Sequence, residues 1–247
     1  MQPPAPPAAP EFANVLGLHP GEAMAFEVRL AGVLAGEAQL AVGDIGEIAG
    51  KQAIVVRSRA ATAGAAALLK KISDEATTTI DVTTGHPMTL DAVVENNGKR
   101  TVATAKFDGG TAIVTYQRSG EPEKTTKMAF DKITLLDAHT AMAHLRGWKA
   151  TPGTARTVHV IGGRRLWRID VTYGGIETIG SALGNRRAIV FEGKSYRARP
   201  NMQIESSKPA RSFTVWLSDD ADRVPLKVEA STELGEIVMD LTEYTRP

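Results

Sequence analysis

The feature that most constrains this chain is a two-residue alternation of apolar and polar side chains, repeated in short runs along almost its whole length. In AMAFEVRL, Met24, Phe26, Val28 and Leu30 fall on one face, with Glu27 and Arg29 on the other. AGEAQLAV repeats the pattern with Ala38, Leu40 and Val42. Such a period fits a strand with one wet face and does not fit a helix. QAIVVRSRA, ATTTIDVTT, MTLDAVVE, KRTVATAKF, TAIVTYQRS and TTKMAF continue the series, broken by TGHP, NNGK, DGGT and SGEPE. Asn-Gly and Gly-Gly supply the positive φ that tight hairpins require. After residue 154 come ARTVHVI, RLWRIDVTY, IETIGSA, RRAIVFE, SYRARPN, SFTVWLS, PLKVEAS and EIVMDLTEY. Many short strands joined by tight turns predict an antiparallel architecture; an α/β fold would need long helices between them.

Two segments depart from this period. AALLKKIS (66–73) places Leu68, Leu69 and Ile72 at helical spacing. LLDAHTAMAHLRGW is the clearer helix, with Asp137 as N-cap, Gly147 as stop and Ala141, Met142 and Leu145 as its apolar stripe. The expected fold class is therefore mainly β: one large curved antiparallel sheet forming an open or closed barrel, with one or two short helices. Closing or covering the sheet removes bare edges. Before it, MQPPAPPAAPEF reads as an extended, solvated Pro-rich segment, giving a disordered linker over 1–17 and a single β-barrel-like domain over 18–247. A Met directly before such a linker is expected where an export signal has been removed.

Lys and Arg number 29 against 28 Asp and Glu, so no general field draws the chain to nucleic acid or anionic membrane. The absence of cysteine excludes disulfides, thiolate nucleophiles and thiolate metal ligands. No run approaches the roughly 20 apolar residues of a transmembrane helix.

Three stretches resemble the DUF3108 family of bacterial exported proteins of unknown function. PGEAMAFEVRLAGVLAGEAQLAV resembles its opening, a Gly-Glu followed by two strands around an Ala-Gly hairpin. FDKITLLDAHTAMAHLRG resembles an Asp-led helix ending in Leu-Arg. VWLSDDADRVPLKVEASTELGEIVMDL resembles the family's Trp-Leu, acidic turn, Arg-x-Pro and Gly-led last strand. These patches cover most of 21–244 in the family's order, while GSALGNRRAIVFEGKSYRARP departs from its pattern. The resemblance implies an exported, mostly β protein and supplies no reaction.

Candidate chemistry is sparse. His139 and His144 stand five apart on one helix, so their rings diverge by roughly 140° around the axis. That spacing lacks the i,i+4 pattern of zinc helices, and capping or surface roles are expected instead. His159 falls in a strand, and His86 precedes Pro87 in a turn. Ser181 in IGSALG only distantly echoes a nucleophile elbow, and Gly162-Gly163 fits a hairpin turn better than a phosphate loop. Asp170 and Glu177 could pair as carboxylates; Glu177, between Ile176 and Ile179, is the stronger ligand-facing candidate. Arg164, Arg165, Arg168, Arg186, Arg187, Lys194, Arg197 and Arg199 form a basic run, either a solvated face or a contact for an anionic polysaccharide or lipid headgroup. Trp167 and Trp216 suit core packing or a stacking platform, and Trp148 is expected to pack on the helix end. SDDAD reads as a turn in which Asp side chains bond their own backbone, with Arg223 as its neutralising cation.

The expected function is a periplasmic or cell-envelope protein, more a binder than an enzyme. It would hold an amphipathic or carbohydrate ligand, a lipid or glycan of the envelope, in a sheet cavity. Glu177, Trp167, Arg168, Arg187 and Trp216 are the candidate ligand-binding residues. No metal, cofactor or nucleic acid is implied. The alternatives are an envelope glycan or peptidoglycan hydrolase using carboxylates such as Glu177, and a scaffold for a protein partner.

Overall fold

The computed structural model describes residues 16–233 and 235–246. The linker expected over 1–17 lies outside these except for Leu16 and Gly17. Leu16 is fully buried, and Gly17 N–H donates to the carbonyl of Ala143 at 2.9 Å.

Among the described residues, sixteen strands form one sheet. The N-terminal half contributes β1 (Ala23–Leu30), β2 (Val33–Val42), β3 (Gly46–Ile48), β4 (Lys51–Thr62), β5 (Ile72–Asp81), β6 (Pro87–Asn96), β7 (Lys99–Asp108), β8 (Thr111–Arg118) and β9 (Lys124–Ala129). The C-terminal half contributes β10 (Leu135–Asp137), β11 (Ala155–Gly162), β12 (Arg165–Ser181), β13 (Gly184–Ala198), β14 (Arg211–Ser218), β15 (Pro225–Thr232) and β16 (Gly235–Thr245). Each half is a meander, and antiparallel pairing of β1 with β16 joins them. Tight turns set the register. Asn97 and Gly98 both have positive φ (49° and 78°), as a two-residue turn between β6 and β7 needs.

The barrel is open. β9 and β10 are the ends of the hydrogen-bonded path and do not pair with each other. Apolar packing brings the two ends together: Met128 of β9 and Leu90 and Val114 of β6 and β8 pack with Leu135, Ile161 and Leu166 of β10, β11 and β12. Leu135 N–H also donates to the carbonyl of Gly109 in the β7–β8 turn, at 3.0 Å.

α1 (Gly64–Leu69) is shorter than the helix expected over 66–73. Lys70 is already extended and Ile72 opens β5, where pairing with β4 and β6 outweighs a local helical preference. Leu68 is 89% exposed, so no apolar stripe packs through it; the side chain of Leu69 lies outside the described ones.

α2 (Ala138–Gly147) is the crossover between β10 and β11, a parallel pair within an otherwise antiparallel sheet. It sits inside the curve, and polar contacts fix one side of it. Asp137 caps the helix by accepting from Thr140 N–H at 2.9 Å and from the Thr140 hydroxyl. Its other oxygen accepts from the Thr78 hydroxyl of β5. That hydroxyl's proton is thereby spent, so Thr78 accepts from Nδ1–H of His139 at 2.7 Å, and Nε2 of His139 accepts from Ser58 of β4 at 2.8 Å. His139 is thus a buried neutral imidazole, correcting the surface or capping role expected from sequence. Burial holds its pKa below the usual range, against the opposing pull of Asp137.

At the other end of α2, Arg146 forms a two-pronged ion pair with Glu22. Nη1 meets Oε1 at 2.5 Å and Nη2 meets Oε2 at 2.9 Å, with both side chains at most 1% exposed. Arg146 also donates to the carbonyls of Asp222 and Arg223 at 2.9 and 3.0 Å. The acidic turn 219–224 behaves as its composition suggests: Asp220 Oδ1 accepts from Ser218 Oγ and from the N–H groups of Asp222 and Arg223. Its cations differ from the expected Arg223. Arg187 pairs with Asp219 at 3.1 Å and Arg246 with Asp222 at 3.2 Å, while Arg223 serves through its carbonyl.

Two outcomes test these contacts. Arg146→Met strands a buried carboxylate and is expected to cost about 3–5 kcal/mol in urea unfolding, whereas Glu22→Met/Arg146→Met together recovers most of the loss. For His139, a pKa lowered by folding means that the unfolded chain binds more protons below about pH 6.5, so stability falls as pH drops through that value. His139→Gln is expected to cost about 1–2 kcal/mol at pH 7.5 and to flatten that fall. Some slope remains, since burial also lowers His144 and His159. Denaturant midpoints between pH 7.5 and 5 read both effects.

Candidate functional site

The sheet surface facing α2 across β11–β15 carries alternate residues inward: Val158 and Val160, then Trp167, Ile169 and Val171, then Phe213 and Val215, then Val228 and Ala230. α2 turns Ala141, Met142 and Leu145 toward them. Between lies a groove of about 490 Å³, within the range of small-molecule sites. Met142, Leu145, Val158, Trp167, Ile169, Phe213 and Val228 all remain only partly buried, so the groove walls keep apolar surface uncovered.

Trp148 lines one end of the groove and leads into a buried aromatic cluster. Trp148, 4% exposed, stacks on Phe191 at 5.5 Å, and Tyr173 meets the same ring edge-on at 5.3 Å. Trp148 therefore packs behind the helix as its position after Gly147 suggests. Polar lining comes from the hydroxyls of Ser195, Ser212 and Ser231 and from Arg156, Arg211 and His144. Arg156 lies 4.4 Å over the Trp148 ring, and Arg211 lies 5.6 Å over Trp167. His144 bonds the carbonyl of Gly85 at 2.8 Å. Burial lowers its pKa, with the Gly85 bond opposing, so it lines the groove as a neutral donor.

The residues singled out from sequence fall in different places. Trp167 lines the groove. Arg168, its neighbour on β12, points to the opposite face and pairs with Asp170 at 3.1 Å, while Asp170 also accepts from Thr157 at 2.6 Å. Burial opposes ionisation of Asp170, but these bonds and the Arg168 charge outweigh it and lower its pKa. Trp216 and Glu177 do meet: the Trp216 indole N–H donates to the Glu177 carboxylate, on the face of β14 opposite Val215. Lys227 lies 5.2 Å over the Trp216 ring. Arg187 is engaged by Asp219 in the acidic turn. Ser181 closes the β12–β13 hairpin by donating to the carbonyl of Gly184 at 2.9 Å. The structure thus joins Glu177 to Trp216 and leaves Trp167 apart from both.

Sequence reasoning did not single out Val158, Ile169, Phe213 or Val228. Their alternation marks them as facing inward, but the same pattern describes filled and unfilled interiors alike. Met142 and Leu145 were visible as the apolar stripe of α2.

One solved structure shares this architecture. A crystal structure of a β-barrel-like protein of the domain of unknown function DUF1849 from Brucella abortus superposes with a TM-score of 0.61 at 11% identity, covering 94% of this chain and 98% of that one. An exported protein with a YmcC-like fold from Bacteroides fragilis gives a TM-score of 0.41 at 9% identity, over 92% of this chain and 97% of its own. A lipoprotein from Parabacteroides distasonis gives 0.39 at 8% identity, over 94% and 99%. No curated protein matches the sequence. The model of the family described as "Protein of unknown function (DUF3108)" matches residues 25–242, nearly the whole chain, and the protein belongs to that family.

Proposed function

We propose that this protein is a non-catalytic cell-envelope component that binds an amphipathic lipid, holding the alkyl portion in the groove between α2 and β11–β15. The supporting observation is that six apolar side chains, Met142, Leu145, Val158, Ile169, Phe213 and Val228, line one groove between α2 and the sheet and are each only partly buried. Each methylene buried there would contribute about 0.8 kcal/mol before the costs of association. A lipid fits this wall better than a glycan does. A sugar would stack on an open aromatic face, and Arg211 already covers the Trp167 ring. Among the described residues no helix is long and apolar enough to cross a membrane. Envelope location rests on the exported character that the sequence resemblance implies.

Gentle purification from the native envelope, followed by native mass spectrometry and lipid extraction, tests the reading. The expected result is one alkyl-chain lipid per chain, absent from Ala141→Trp, which fills the groove from the α2 side while keeping the wild-type unfolding midpoint. A clean apo mass together with no uptake of a fluorescent alkyl probe overturns it. Co-purifying glycan, or glycan turnover abolished by Glu177→Gln, would overturn it in favour of a saccharide function.

A further inference from the structure

The apolar groove ends at Gly162 and Trp167, and both residues also line a second, wider cleft of about 800 Å³. This cleft lies between the ends of β6–β8 and the β11–β12 hairpin, the two regions that close packing of the sheet ends brings face to face. Its lining is basic. Lys99 and Arg100 come from the β6–β7 hairpin, Arg118 from the end of β8, and Arg164 and Arg165 from the β11–β12 hairpin, against Glu121 as the lining carboxylate.

These cations come from hairpins in both halves of the sheet, and of the five, Arg100 and Arg118 have a carboxylate within ion-pair distance. Glu121 is shared between Arg118 at 2.9 Å and Lys124 at 3.3 Å. Glu95 stands 3.7 Å from Arg100. Arg164 lies over the Tyr116 ring at 5.2 Å, an arrangement that holds the guanidinium without cancelling its charge. Arg165 is half-buried, and its pKa is lowered by burial and then by the neighbouring charges of Arg197 and Arg164, against the opposing pull of Glu205. Bringing like charges to one mouth is unfavourable unless an anion shares the space, and clustered guanidiniums suit the oxygens of a phosphate. The junction with the groove is kept open by side-chain size. A Cβ on residue 162 would come within 3.2 Å of the Trp167 indole nitrogen, so a glycine there lets the indole stand at the boundary of the two spaces.

We propose that the cleft rimmed by Lys99, Arg100, Arg118, Arg164 and Arg165 receives the phosphate-bearing headgroup of the lipid whose alkyl chain occupies the groove. This assignment rests on the lipid-binding reading and adds the headgroup class. The ligand would enter with its chain directed past Trp167 toward Phe191 and its anionic end left at the wet mouth. Surface cations of this kind also steer anionic ligands, so association is expected to slow as salt rises.

Calorimetric titration of the full chain with dodecyl phosphate, dodecyl maltoside and inorganic phosphate, each alkyl probe below its micelle concentration, tests the assignment. Dodecyl phosphate is expected to bind at least tenfold more tightly than either of the others. Arg164→Ser/Arg165→Ser should erase that margin and its salt dependence while leaving dodecyl maltoside binding in place. Lys99→Gln/Arg100→Gln, on the opposite rim and exposed, is a second variant that reads the same loss should the first fold poorly. Ala141→Trp should weaken both alkyl probes. Equal binding of the two alkyl probes overturns the headgroup assignment and leaves the groove reading standing. Inorganic phosphate binding as tightly as dodecyl phosphate overturns the link between the two spaces and makes the cleft a site for free phosphate. Failure of every probe to bind overturns both readings.

Discussion

The buried ion pair between Glu22 and Arg146 is the constraint on which the rest of the fold depends. Removing two charges from water is costly, and the interior attraction offsets this only when geometry is good and the remaining donors are satisfied. Both conditions hold here. The guanidinium fork meets both carboxylate oxygens, and two more of its N–H groups reach the carbonyls of Asp222 and Arg223. Lysine could not replace it, because a single ammonium lacks the planar fork that serves one carboxylate and two carbonyls at once. One side chain therefore ties the start of β1, the end of α2 and the β14–β15 turn.

Those three places carry the stretches by which the sequence resembles its family: Gly21-Glu22, the Leu145-Arg146 end of the helix and the acidic turn before Val224-Pro225. They are distant in sequence and adjacent in space. This explains why the motifs are recognisable although none has catalytic character: they encode one structural knot. The Asp-rich turn offers the knot its backbone carbonyls, while its side chains organise the turn itself.

Most of the sheet was legible because a period of two, punctuated by Asn-Gly and Gly-Gly, can be read residue by residue. α2 was legible from Asp137, Gly147 and its stripe. His139 was not, since its partners Ser58 and Thr78 are 81 and 61 residues away and neither resembles half of a motif. The groove was equally hidden. Phe213 and Val228 alternate like any other interior residues, and nothing in that pattern marks them as only partly buried. The basic residues Arg164 and Arg165 stood out in the sequence, but Lys99, Arg100 and Arg118, which share their cleft, belong to hairpins of the other half of the sheet. No local pattern links them.

The placement of α2 explains why such a space can exist without collapsing. A helix held by apolar contacts alone would settle into both walls of the barrel, since dispersion and burial are non-directional and reward closure. Here directional bonds hold one side. Asp137 and His139 engage β4 and β5, and Arg146 engages Glu22 and the acidic turn. Ala143 packs with Leu16, Ile54 and Ile80 on the same side. Hydrogen bonds lengthen at steep cost, so moving α2 toward β12–β14 would break several of them to gain a few apolar contacts. The helix therefore stays on the β4–β5 side, and Met142 and Leu145, although they touch the Trp148–Phe191 cluster, remain only partly buried along the groove. The polar network that makes α2 a fixed part of the barrel is also what leaves its other face available.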